Sequence, residues 1–178
     1  KVEHGKTFDR NAANPPAFEI FHNTVTEGYP KHWHTAIEII MPTRGEYEVV
    51  VGKDSYNLKE GDIIMINSGV VHGMRFVSQG ERIVMLVEPG CVENQEEMET
   101  IFLRLPAIYF KKEDEEDPFY LFLRSQILEL VREYDNEGAV MTHRICTGLK
   151  ELFSEFGRKG FSDANAQNTF GAMKQRSE

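Results

Sequence analysis

Up to Pro89-Gly90 the apolar residues arrive in short runs. Phe18–Val25, Ala36–Met41, Glu46–Val51, Asp62–Ile66 and Arg82–Val87 are rich in Val, Ile, Phe and Tyr, and clusters of Gly, Pro, Asn, Asp and Ser separate them. Val71–Val77 reads as a further strand. Pro42 to Gly45, Gly52-Lys53 and Glu60-Gly61 read as turns, because Gly supplies backbone angles that other residues resist. With no helical stretch and no internal repeat among them, these runs predict an antiparallel sandwich or barrel. After Gly90 the period becomes helical. Phe119, Phe122, Leu123, Ile127, Leu130, Val131 and Tyr134 form one stripe. Asp117 is a side-chain cap with Pro118 at the first helical position, and Asn136-Glu137-Gly138 is a matching stop. A second helix is expected from Val140 to Phe156, with Ile145, Leu149, Leu152, Phe153 and Phe156 on one face and Gly157 and Gly160 ending it. A shorter helix is expected around Glu93–Leu103.

Composition narrows the class. The chain has 178 residues, enough for one domain with an appendage, and at 40% hydrophobic content it is too apolar for disorder. Its 20 Lys and Arg stand against 29 Asp and Glu, a net charge of −9. That charge repels phosphate backbones, so this fragment is not expected to bind nucleic acid. The acidity concentrates in the middle third, where Glu113–Asp117 reads as a solvated loop or helix N-terminus. No apolar run reaches the ~18 residues of a membrane span and no signal-peptide core is seen near Lys1. Cys91 and Cys146 are far apart and outside any CxxC. Ordinary reduced cysteines and a cytoplasmic location are expected. The chain begins at Lys1 and stops at Glu178 in polar sequence, as a fragment of a longer protein would.

The chemistry lies in the histidines. His32, His34 and Glu38 share parity, so a continuous strand would project all three from one side, and His72 can close the set from across a barrel. Three imidazoles and one carboxylate make a ligand set for a divalent transition metal, with two positions left for water or a small oxygen ligand. Fe, Mn, Ni, Co and Zn all suit it. The alternative is a polar pocket in which these groups satisfy one another or bind a ligand directly. Tyr47 is a candidate ligand contact or a barrel-filling aromatic. Trp33, of opposite parity, is expected outside the barrel, and Arg75 in a surface ion pair. No nucleophilic triad, phosphate loop or separate catalytic residue is evident.

Gly28-Tyr-Pro-Lys-His32-Trp-His34-Thr-Ala-Ile-Glu38, closing with Gly45, resembles the first motif of the cupin family. Gly61-Asp62 followed by Asn67-Ser68-Gly69-Val70-Val71-His72 resembles the second. Asn67 stands where that motif usually has Pro, and Phe76 where it usually has Asn. The resemblance implies a mainly β fold, a small jelly-roll barrel followed by two or three packed helices, with metal ligands at His32, His34, Glu38 and His72.

Over about residues 17–157 the layout resembles the N-terminal half of AraC-type transcription regulators. That implies an arm at 1–16, a cupin barrel at 17–90, a helical dimerisation and packing segment at 91–160, and a linker at 161–178 towards a separate DNA-binding domain. It also implies a small-molecule effector in the barrel, contacting His32, His34, Glu38, Tyr47 and His72, and a homodimer through the helices, with no membrane partner. A metal-dependent cupin enzyme, such as a dioxygenase or isomerase on a small polar substrate, accounts for the same four residues.

Overall fold

The computed structural model describes residues 17–24, 28–91, 105–112, 116–136 and 138–159. Nine strands are seen among them: β1 (Phe18–Asn23), β2 (Tyr29–His32), β3 (Ile37–Arg44), β4 (Tyr47–Val51), β5 (Asp54–Leu58), β6 (Ile63–Ile66), β7 (His72–Phe76), β8 (Glu81–Val87) and β9 (Ala107–Phe110). A 3-10 turn, Pro89–Cys91, follows β8, and two helices come last, α1 (Pro118–Asp135) and α2 (Met141–Lys159). All pairings are antiparallel. The larger sheet runs β1-β8-β3-β6-β9 and the smaller β2-β7-β4-β5.

The near-continuous apolar runs of β3 and β6 have a simple cause, burial on both faces. Ile37, Ile39, Met41, Ile63 and Met65 pack with the helices, whereas Ile40, Ile64 and Ile66 face the barrel interior with Val49, Val51 and Met74. The larger sheet is therefore a wall between two apolar clusters. The β3–β4 turn at Gly45 shows why glycine is needed there. Its φ is +78°, and a Cβ would lie 2.7 Å from the Gln79 carbonyl oxygen.

Two strands escape a reading by hydrophobic runs. β2 is exposed along most of its length and has little apolar signal. β9 returns to the larger sheet from within the stretch expected to be helical, pairing Ile63 with Phe110 and Ile66 with Ala107. Asp62 secures that return. Its buried carboxylate accepts from the backbone N–H groups of Lys59 (2.9 Å) and Lys112 (2.8 Å) and from the Tyr109 hydroxyl (2.6 Å).

The helices differ from expectation in detail. α1 buries Tyr120 with Leu123, Ile127 and Leu130, so its inner face is rotated towards Tyr120, whose hydroxyl donates to the Gly61 carbonyl at 2.8 Å. α2 continues past Gly157 to Lys159. A mid-helix glycine costs only about 1 kcal/mol, while Arg158 and Lys159 favour the negative end of the helix dipole. The helix around Glu93–Leu103, the 1–16 arm and the 161–178 linker lie outside the described residues. No helix among the described residues is long and apolar enough to cross a membrane.

Asp117 caps α1 as its position suggests, accepting from the Phe119 N–H at 2.8 Å, and it also receives Lys159 Nζ at 2.9 Å. Asp117→Ala is expected to cost about 1 kcal/mol, seen calorimetrically as a Tm lower by about 3 °C. Burial alone would raise this carboxyl's pKa, but the Lys159 ammonium and the Phe119 N–H outweigh it and hold the group below its usual range. The folded value is thus the lower one. The charge-linked part of the contribution is complete above the unfolded pKa and fades as pH falls below about 4, so the gap between wild type and variant should narrow there.

Candidate metal centre

The strand assumed to carry His32, His34 and Glu38 is broken. β2 ends at His32, residues 33–36 cross from the smaller sheet to the larger, and Glu38 is the second residue of β3. His72 opens β7 directly opposite His32. The four side chains therefore converge from two facing sheets and the loop between them. One candidate ligand atom from each lies within 4.8 Å of all the others. Ring centroids are 4.5 Å apart for His32–His72, 4.9 Å for His34–His72 and 5.5 Å for His32–His34. His34, Glu38 and His72 are 8%, 5% and 3% exposed, and His32 is half-buried.

The hydrogen bonds settle each ring's tautomer. His32 Nδ1 contacts the Pro30 carbonyl at 2.9 Å, His34 Nδ1 the Ala36 carbonyl at 2.9 Å, and His72 Nδ1 the Val70 carbonyl at 2.8 Å. A carbonyl only accepts, so every Nδ1 carries a proton. The Nε2 atom of a neutral ring is then a bare lone pair. Yet His34 Nε2 and His72 Nε2 stand 3.0 and 2.7 Å from one Glu38 oxygen, Oε2. Two acceptors at that distance repel. The cluster is relieved only by positive charge at its centre, as protons on Nε2 or as one cation held by the lone pairs and the carboxylate.

The Glu38 pKa expresses the same demand. Burial pushes it up, but the bonds from His34 and His72 and their charge outweigh this and hold it at about 2. For His32, burial and the nearby imidazoles favour the neutral, ligating form, against the Pro30 carbonyl and Glu38. A divalent transition metal fits this donor set, and the three backbone carbonyls are the outer contacts that orient ligating imidazoles.

Tyr47 is not part of the cluster. It faces the interior, but its register partner is Phe76, whereas His72 is opposite Val51. Four residues of strand, about 13 Å, separate the two levels. There the fully buried Arg82 lies over the rings of Tyr47 (4.9 Å to the centroid) and Tyr29 (5.2 Å). Trp33 is 60% exposed, and Arg75 makes a surface pair with Glu48 at 3.7 Å.

Two polar interior residues went unremarked in the sequence. Arg82 is one. Glu19 is the other, opposite Leu86 on β8, the residue that Glu38 faces from the other side. Alternation along β1, with Ile20 towards the helices and Phe21 towards the interior, is the signal that would have found it.

This fold and donor set meet a known family. Residues 23–88 match the family model described as Cupin domain. The chain carries a cupin domain. Among solved structures, the chain resembles a conserved protein of unknown function, SPY1581, from Streptococcus pyogenes. The TM-score is 0.37 and the identity 18%, over 40% of this chain and 63% of that one. It also resembles a single-substitution mutant of Bacillus subtilis oxalate decarboxylase (TM-score 0.38, 18% identity, 40% of this chain and 21% of that one). A single-substitution mutant of apo ToxT from Vibrio cholerae aligns more widely, with TM-score 0.52 and 12% identity over 82% of this chain and 58% of that one. The chain thus spans less than two thirds of the length of each of these. No curated protein matches it.

Proposed function

We propose that this chain is the effector-sensing part of an AraC-type transcription regulator. One observation carries the reading. The likeness to ToxT, an AraC-family regulator, takes in 82% of the chain, far beyond the cupin domain at 23–88. A small molecule enters where His32 is half-buried and contacts His32, His34, Glu38 and His72 directly or through a divalent metal. Such a metal, when bound, supplies a Lewis acid for an oxygen donor of the effector. The cluster's loop is already tied to the helical side, since the Thr35 hydroxyl donates to Glu88 Oε1 at 3.1 Å and the Cys91 N–H to the Glu88 carbonyl at 2.9 Å. Effector binding biases two states of that connection.

The helices pass the change to a second copy. Leu121 and Leu128, 50% and 39% exposed, lie two turns apart on one side of α1 and form the apolar centre of that contact. DNA is bound by a separate domain, and the protein works in the cytoplasm.

The test is a thermal-shift screen of small polar metabolites against the metal-loaded chain. A ligand at 100 times its Kd should raise Tm by about 5–10 °C and be recovered chemically unchanged. Turnover of the ligand would contradict the sensing role and make the chain a metal-dependent enzyme.

A further inference from the structure

Cys91 and Cys146 are separated by 55 positions, yet their Sγ atoms lie 3.6 Å apart. Both are free thiols and both are partly exposed. Each is anchored by structure that does not depend on the other. Cys91 closes the 3-10 turn after β8, with its N–H on the Glu88 carbonyl. Cys146 sits in α2 beside the fully buried Ile145. The sulfurs are thus held in contact by the barrel on one side and the helix pair on the other.

We propose that Cys91 and Cys146 form a reversible intramolecular disulfide, made by a peroxide and undone by a thiol reductant, that fastens the helix pair to the end of strand β8. One sulfur, as thiolate, attacks a peroxide oxygen and the O–O bond breaks. The sulfur is oxidised to a sulfenic acid, and the peroxide's other half leaves as an alcohol, or as water from hydrogen peroxide, carrying the proton that the thiol lost. The second sulfur then displaces hydroxide from the first, and its own proton completes the departing water. Two thiols and one peroxide become one disulfide, one water and one alcohol.

Burial pushes the Cys91 thiol up to about 11, the contact with Cys146 adds to this, and Lys150 opposes it. Cys91 is therefore almost wholly in its unreactive thiol form at neutral pH. Attack on the peroxide by Cys91 should quicken about tenfold per pH unit between 7 and 8, as its thiolate fraction grows.

The experiment treats the purified chain with hydrogen peroxide at pH 8 and then counts thiols and measures intact mass under denaturing, non-reducing conditions. The two thiols should fall to none, with a mass lower by two hydrogens and no covalent dimer. Closing a 55-residue loop should raise Tm by roughly 5–10 °C, reversed by dithiothreitol. Cys146→Ser, with one thiol, should show no such rise. Overturning results would be oxygen added at separate sulfurs, thiols surviving excess peroxide, or disulfides between chains only. If the variant fails to fold, the wild-type thiol count and mass decide alone.

Discussion

Glu38→Gln should weaken divalent-metal binding by about 100-fold or more while leaving the metal-free protein as stable as before. The two halves of this expectation share one cause. Glutamine keeps the shape of Glu38 and removes the charge that opposes a cation. In metal-free protein its amide N–H groups can donate to the Nε2 lone pairs of His34 and His72, where the carboxylate oxygen now stands at 3.0 and 2.7 Å. The substitution thus replaces a contact that needs positive charge with one that does not. With metal at 100 times its wild-type Kd, the wild type should gain about 5–10 °C in Tm and Glu38→Gln only about 1 °C. In chelator the two should agree within about 2 °C. Equal metal responses would show that the carboxylate is no ligand. A large loss in chelator would show that its role is structural.

Phe156→Ala should be the most damaging single truncation outside the barrel. The side chain is fully buried, with ring centroids 5.1 Å from Phe119, 5.9 Å from Phe110 and 6.3 Å from Phe153. These partners belong to α1, β9 and α2, so one ring joins both helices to the larger sheet. Truncation removes that burial and leaves a cavity between rigid neighbours, a loss of about 3–5 kcal/mol. A scanning calorimeter should record a Tm lower by about 10 °C, and Phe156→Leu should recover more than half of it. Because the larger sheet separates this cluster from the barrel interior, metal affinity of the folded variant should stay within about twofold, since distant sites usually act independently. A comparable loss of affinity would mean that the helix pair and the cluster are coupled more tightly than their packing suggests.

Much of this architecture is written locally. Strand runs bounded by turn residues reveal most of the barrel because Gly45 and Gly61 adopt positive φ that few other residues accept, and a cap such as Asp117 depends only on its neighbours. The four ligand-type residues are legible as a set because motif spacing carries them. How they meet is not. The break at 33–36 puts His32 and Glu38 on different sheets, and parity along a chain says nothing once the strand ends. Tyr47 shows the limit on the other axis. Its facing direction is local information, but its level in the barrel follows from pairing with Phe76, a long-range register. The contacts of Arg82 with Tyr29 and Tyr47, the return of β9 to β6, and the meeting of Cys91 with Cys146 likewise arise only when distant segments pack.

The most direct test of the cluster as a cation-holding site is the metal content of the purified protein by elemental analysis, measured beside His34→Ala. The account predicts close to one divalent transition metal per wild-type chain after reconstitution and dialysis, and a fall to about a tenth or less in the variant. A wild type that retains no metal, or a variant that retains as much as the wild type, would contradict it.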